Sequence, residues 1–400
     1  GTTAKAGTIR GRVPEVVSEY EVAGKIHMGR LIKGSGYPVR FPFIDLAECS
    51  AGGGTIARVK NEVLEVGPTS AGAIPGPACY GRGGAEPTIT DANLLLGRLN
   101  KQSLLDGSME INVESAERAF IKLTNSLGLS QHEAAISVIL VANSMMAKIL
   151  RIVSVERGFD PRNFTLVAFG GAGPMHVCAL AEDLEIGKIV IPPNPGMFSA
   201  LGLLTADLFH DFTSPVVREV SIIDPSELEE KFQEMEEDGN QTLESEGIPE
   251  ELRKTQRSLD IRYKGQGFEL NIPVKKPMSM EELLKSIESF HIKHDKVYGY
   301  FDRDQTIEIV NVKLRVIGFL DKPRLPDKIA CKGESHDYRD VFFEGVKEWV
   351  ETPVFNREVL EGKYSGPAVI EQYDSTTIVY PGWSFETEKK GNLILRRERS

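Results

Sequence analysis

The chain has 400 residues, 41% apolar and 26% charged, with a net charge of −11 from 47 basic and 58 acidic residues. That length exceeds one ordinary core, so two domains are expected, and the acidic balance disfavours a nucleic-acid partner. No run of 18 or more uncharged apolar residues is present, so no membrane span is expected, and no basic leader with an apolar stretch opens the sequence.

Residues 34–97 carry glycine clusters (GSG, AGGG, GPTSAGAIPGP, GRGG) too dense for helix or strand interiors. Short strands, around 39–44 and 56–66, are expected to alternate there with structured loops. Residues 114–127 read as a helix stopped by Gly128. Ser130 and Glu133 form a capping box, in which hydroxyl and carboxylate each satisfy a free N–H at a new helix start. The apolar run 134–155 continues that helix until Gly158 and Pro161, and its apolar circumference predicts burial. A strand (164–169), a glycine turn, a helix to Leu184 and a strand (188–191) make a βαβ unit with parallel strands. Pro174 falls at its first helical position.

After Asp211 the character changes. Acidic residues 226–247 read as an exposed amphipathic helix, 258–262 and 268–274 as a hairpin joined through 264–267, and Ser279 with Glu282 as a helix cap. Val310, Val312, Leu314 and Val316 have strand spacing, and short strands fill the tail. The expected division is an α/β region, 1–215, and a strand-rich α+β C-terminal domain, 220–400.

The most concentrated chemistry is FGGAGPMH at 169–176, between a strand and a helix. Gly170, Gly171 and Gly173 let a ligand approach the backbone, and the helix start at Ala172 and Pro174 offers unpaired N–H groups. The plain alternative is a tight strand-to-helix turn. A dinucleotide fingerprint is set aside, because His176 stands where a third small residue belongs and no acidic residue closes the second strand. Gly1, Thr2 and Thr3, ahead of a hairpin, and the run Gly52, Gly53, Gly54 offer hydroxyl and backbone nests for an anion.

Asp45 and Glu48, just before that run, are candidates for cation or proton chemistry, or else surface acids beside a solvated turn. His210 is a candidate catalytic residue, whereas His176 reads as structural. Cys79 reads as a buried thiol without a base, and Tyr298 and Tyr300 as core aromatics. Cys49, Cys79, Cys178 and Cys331 lack CxxC spacing, which fits a reduced, cytoplasmic compartment; no metal-ligand set is identifiable.

In order along the chain, residues 66–84 (VGPTSAGAIPGPACYGRGG), 90–93 (TDAN), 96–98 (LGR), 154–158 (SVERG), 167–174 (VAFGGAGP), 199–203 (SALGL), 262–267 (RYKGQG), 298–300 (YGY), 366–371 (GPAVIE), 374–377 (DSTT) and 381–383 (PGW) resemble the hydantoinase A/5-oxoprolinase family. That family includes ATP-dependent N-methylhydantoinase large subunits and acetone and acetophenone carboxylase subunits. The likeness covers essentially the whole chain.

The resemblance implies an actin-like (RNase H-like) ATPase core, of which residues 1–215 are the second half, and ATP with Mg²⁺ as cofactors. Gly1, Thr2 and Thr3 resemble the tail of its second phosphate loop, and Gly170, Gly171, Ala172, Gly173 and Pro174 its adenosine motif. Ala4 and Lys5 stand where some relatives carry threonine and aspartate.

The implied reaction is ATP-coupled opening of a cyclic amide or imide (hydantoin, 5-oxoproline or lactam) by phosphoryl activation. The implied partners are a B-type subunit and an N-terminal ATPase half absent from this sequence; a homo-oligomer is also allowed. By itself the 400-residue chain is expected to be inactive. The alternatives are an ATP-dependent ketone carboxylase subunit and, for this segment alone, a non-catalytic assembly module.

Overall fold

A computed structural model describes residues 1–17, 20–22, 26–27, 30–31, 36–39, 43–323 and 337–398. The expected strand at 39–44 and the GSG turn lie partly, and Cys331 wholly, outside the described residues. Two compact units result: one takes Gly1–Ala200 with Leu325–Ser400, the other Leu201–Arg324.

The first unit opens with β1 (Ala4–Gly7), antiparallel to β2 (Leu46–Cys49), with Ala4 opposite Cys49 and Lys5 opposite Glu48. β3 (Thr55–Lys60) and β4 (Val63–Ser70) form a hairpin. Its turn residues Asn61 and Glu62 have φ of 51° and 63°, the left-handed twist a tight hairpin requires. α1 (Ile89–Leu95) starts on a capping box of Thr88 and Asp91, and α2 (Val113–Leu127) stops at left-handed Gly128.

α3 (Gln131–Val153) starts on the expected Ser130–Glu133 box. Among the described residues it is long and apolar enough to cross a membrane by length and composition. It is a core helix here: Ala134, Val138, Ile139, Ala142 and Ala147 are buried in a cluster shared with α1, α2, β1, β2 and β4.

β5 (Leu166–Val167), α4 (Gly173–Asp183) and β6 (Lys188–Ile191) form the expected βαβ unit, the strands parallel with Leu166 opposite Ile189. α5 (Phe198–Thr205) follows.

The second unit contains β7 (Leu208–Glu219), α6 (Pro225–Ser245), β8 (Arg253–Tyr263), β9 (Leu270–Val274), α7 (Met280–Tyr298) and β10 (Ile307–Gly318). Its antiparallel sheet runs β7-β10-β8-β9. Leu228, Phe232 and Leu243 of α6 and Leu283 and Phe290 of α7 share its core with Leu259, Ile261, Val312 and Leu314.

The chain then returns to the first unit as β11 (Asp337–Phe343), β12 (Glu348–Asn356), β13 (Lys363–Ser365), β14 (Ala368–Gln372), β15 (Ser375–Val379), β16 (Trp383–Thr387) and β17 (Leu393–Arg397). One sheet runs β11-β12-β14-β15, the other β5-β6-β17-β16-β13. β17 lies between β6 and β16, with Leu395 opposite Ile189 and Phe385. Met175, Val177, Cys178 and Ala181 of α4 are buried with Val369, Ile378, Val379 and Trp383.

Residues 220–400 are therefore not one body. β6 needs a partner on its far edge and α4 needs a cover, and the last seven strands supply both. The fold is mixed α/β, but the boundary expected at 215–220 falls in and just past β7 rather than between units.

Candidate functional site

Two glycine turns of the first unit are built up by contacts distant in sequence. At the first, the β1–β2 pairing brings the chain after Cys49 back alongside Gly1–Thr3. The Gly54 N–H donates to the Gly1 carbonyl at 3.0 Å. The Thr55 hydroxyl donates to the Thr2 carbonyl at 3.3 Å and accepts the Gly52 N–H at 3.0 Å. The Thr2 hydroxyl lies 3.2 Å from that of Ser70, which also accepts the Gly72 N–H.

A Cβ on Gly52 would stand 2.6 Å from the Gly1 carbonyl carbon and 2.7 Å from that of Thr2, so only glycine fits. One on Gly53 would stand 2.7 Å from the Thr90 hydroxyl. Gly1, Thr2 and Thr3 are exposed while residues 51–55 are buried, which leaves two threonines at the surface of a rigid base. The sequence-derived groups Gly1–Thr3 and Gly52–Gly54 are thus one feature.

At the second turn, Gly170 has φ of 87°, a conformation suited to glycine, and its N–H donates to the Pro195 carbonyl. Among the described residues, the N–H groups of Gly171 and Ala172 donate to no protein acceptor, and a Cβ on Gly173 would meet nothing within 4 Å. Pro174 occupies the first turn of α4, as expected. The start of α4 therefore presents free donors and open space, the features an anion or a flat ligand uses.

Three residues missed as site residues close this turn. The Ser375 hydroxyl donates to the Gly171 carbonyl at 3.0 Å. Asp374 packs on Gly196, where a Cβ would stand 2.8 Å from the Asp374 Cβ, and its carboxylate accepts the Met197 N–H at 3.2 Å. Gln372 donates to the other Asp374 oxygen at 2.7 Å.

Arg357 anchors Gln372 at 2.6 Å and gives its other terminal nitrogen to the carbonyls of Ile191, Pro192 and Gly391. Burial lowers the Arg357 pKa to about 10, opposed by the nearby Asp374 charge. The DSTT motif at 374–377 was legible as a motif, but nothing local places it beside residue 171.

The proposed proton-handling residues sit elsewhere. Asp45 pairs with Arg157 at 2.7 Å, and Glu48 with Lys5 at 3.5 Å. His210 lies in the second unit, its Nε2 3.0 Å from both Glu246 carboxylate oxygens. Among the described residues no group of three or more His, Cys, Asp or Glu side chains could hold a metal ion.

His176 is structural, as expected: it is buried, its Nδ1 lies 2.7 Å from Asn143 Oδ1, and burial followed by the Arg98 charge lowers its pKa to about 3. Cys79 is buried, and burial followed by the Asp91 charge pushes its thiol far above the ordinary range. Asp91, fully buried, accepts from the Ala78, Cys79 and Thr88 N–H groups and from the Thr88 hydroxyl. Arg98 donates to Glu344 at 2.6 Å. The TDAN and LGR motifs thus brace the first unit.

The hydantoinase/oxoprolinase family profile matches residues 1–212, and its C-terminal domain profile matches 218–396. The chain belongs to the hydantoinase/oxoprolinase family. Three relatives show the range of this family. An uncharacterized protein of Methanocaldococcus jannaschii is 48% identical over 402 residues, covering 99% of this chain and 57% of its own. The caprolactamase alpha subunit of Pseudomonas jessenii is 36% identical, covering 87% of this chain and 52% of its own. The acetophenone carboxylase gamma subunit of Aromatoleum aromaticum is 31% identical, covering 86% and 50%.

The crystal structure of the ATP-dependent caprolactamase from Pseudomonas jessenii superposes with a TM-score of 0.74 at 34% identity, over 91% of this chain and 55% of that one. The hydantoinase/oxoprolinase chain described here spans about half the length of these relatives.

Proposed function

We propose that the complete protein uses ATP to open a cyclic amide, and that this chain supplies the nucleotide-binding half of an actin-like ATPase core. The observation that carries the reading is the turn 170–174. It offers free N–H donors at the start of α4 and is closed by Asp374 and Ser375, in a chain 36% identical to a caprolactamase subunit.

ATP fits the residues present. The open backbone at Gly171 and Gly173 admits a flat adenosine, and the base formed by Gly1–Thr3 and Gly52–Gly54 has the hydroxyls and compact glycines of a phosphate loop. When bound, ATP supplies a phosphoryl group that makes the amide carbon electrophilic. Asp374, fixed by Gln372 and the Met197 N–H, holds the loop above Gly171 in place. Mg²⁺ would come with the phosphates and neutralise their charge.

Asp45, Glu48 and His210 are the proton-transfer candidates; Asp45 and Glu48 each have an ion-pair partner, and His210 a contact with the Glu246 carboxylate, that must give way before they act. A B-type subunit and the other ATPase half complete this cytoplasmic enzyme.

The test is to incubate the complete protein and its partner with MgATP and 5-oxoproline, hydantoin or caprolactam. Ring-opened product formed with ADP is expected, and EDTA should abolish it. The carboxylase relative motivates a second reading, in which the same assay gives ATP turnover only with a ketone and bicarbonate. No ATP turnover under either condition overturns both.

A further inference from the structure

The YGY motif lies in the second unit, and Tyr298 and Tyr300, 46% and 53% exposed, are surface rings rather than the core aromatics expected. The DSTT motif, by contrast, lies in the first unit and at the glycine turn itself. Its aspartate, Asp374, is fixed there by both side chain and backbone. The Gln372 amide donates to one carboxylate oxygen at 2.7 Å, and the Met197 N–H to the other at 3.2 Å. The Asp374 carbonyl oxygen stands 3.5 Å from where a Gly171 Cβ would be and 2.5 Å from where a Gly196 Cβ would be. The next residue, Ser375, bonds the Gly171 carbonyl. Asp374 is therefore seated directly on the turn.

Bracing the loop does not use all of this carboxylate. Among the described residues it has no ion-pair partner. The buried Arg357 guanidinium, whose pKa its charge raises, is bonded instead to Gln372 and to the carbonyls of Ile191, Pro192 and Gly391. A carboxylate oxygen accepts two hydrogen bonds, and each oxygen of Asp374 takes one from the described residues, so each keeps a lone pair. Asp374 is half-buried and Gly171 exposed, so the turn and its acid are open to a ligand.

The pairing selects which end of a nucleotide fits. The free N–H groups of Gly171 and Ala172 need an acceptor, and the Asp374 carboxylate needs a donor. A phosphate oxygen only accepts, and its charge repels the carboxylate. A sugar hydroxyl both donates and accepts through one oxygen. The vicinal hydroxyls of a ribose also match two carboxylate oxygens with one lone pair each, whereas the single amino group of adenine does not. We infer that Asp374 receives the ribose hydroxyls and selects ribonucleotides, an assignment that rests on the ATP-binding reading proposed above. The acid thereby turns phosphate away from a helix start that would otherwise attract it.

The test is equilibrium titration of the complete protein, with Mg²⁺, by ATP and by 2′,3′-dideoxy-ATP, in wild type, Asp374→Ala and Asp374→Asn. Wild type should bind the dideoxy compound roughly tenfold more weakly than ATP. In Asp374→Ala the two should bind alike, because the hydroxyls have lost their acceptor. The ratio is the readout, since a carboxylate that merely braces the loop weakens both ligands together and leaves their ratio unchanged. Asp374→Asn keeps the side-chain shape and should also lower the ratio, so the test stands even where the alanine variant does not fold. Equal binding of the two ligands by wild type, or the wild-type ratio kept in a folded variant, overturns the assignment and leaves ATP use standing. A preference that follows the 6-amino group, seen with inosine triphosphate rather than with the dideoxy compound, gives the acid to the base and overturns it too. No binding of ATP by wild type overturns the nucleotide reading and this assignment together.

Discussion

Gly52 shows how little room the first turn leaves at its base. Replacing it with alanine puts a Cβ against the backbone of Gly1 and Thr2, an overlap costing about 1–3 kcal/mol. Because Gly1–Thr3 are exposed, that loop yields rather than the core. Gly52→Ala should therefore lower ATP affinity roughly tenfold while the melting temperature stays within a few degrees. A titration beside a thermal melt checks both.

His176 predicts a pH dependence of stability. Its ordinary pKa is 6.5 and its folded pKa about 3, so between those values the unfolded chain holds a proton that the folded chain refuses. The stabilisation is complete above pH 6.5 and is lost as pH falls. Between pH 6.5 and 4.5 the loss is about 2–3 kcal/mol. Urea titrations should show His176→Gln losing less stability than wild type over that interval. Equal losses would show that His176 is not buried neutral.

Among the elements, those with local rules were legible. The capping box at Ser130 and Glu133 is visible four letters at a time, and Gly128 announces its own left-handed stop. The glycine turn at 170 was readable for the same reason. Its closing contacts were not, because Ser375 lies 204 residues from Gly171 and no periodicity links them.

Gly239 was equally opaque. It sits inside α6, where glycine costs about 1 kcal/mol against alanine, yet a Cβ there would stand 2.5 Å from Val316 Cγ1 of β10. The helix thus lies unusually close on its sheet. Gly239→Ala should destabilise by about 1–2 kcal/mol net of the helix gain, and adding Val316→Ala should recover part of that by relieving the overlap. Chemical denaturation of the two single variants and the double variant measures the coupling.

At the scale of the molecule, the lesson is where the chain closes its cores. The alternation after residue 258 correctly gave strands, but strand spacing does not say which strand is the neighbour. β17 joins β6 across about half the length of the chain, so the division read from composition differs from the division by packing. Residues 201–323 have their own core and should melt cooperatively as a fragment. A chain cut at 323 should lose the fold of its first unit, seen as lost near-ultraviolet dichroism and gained dye binding.

The turn closed by Asp374 and Ser375 is the proposed seat of the nucleotide. The Gly171 Cβ position lies 3.5 Å from its nearest neighbour, so valine can be carried there without unfolding the chain, yet it fills the approach a ligand needs. The direct measurement is equilibrium titration of ATP against the complete protein and its Gly171→Val variant, with thermal melts to confirm that both are folded. Loss of ATP binding, by a hundredfold or about 2.7 kcal/mol or more, is expected in a folded variant. Unchanged ATP affinity in that folded variant would contradict it.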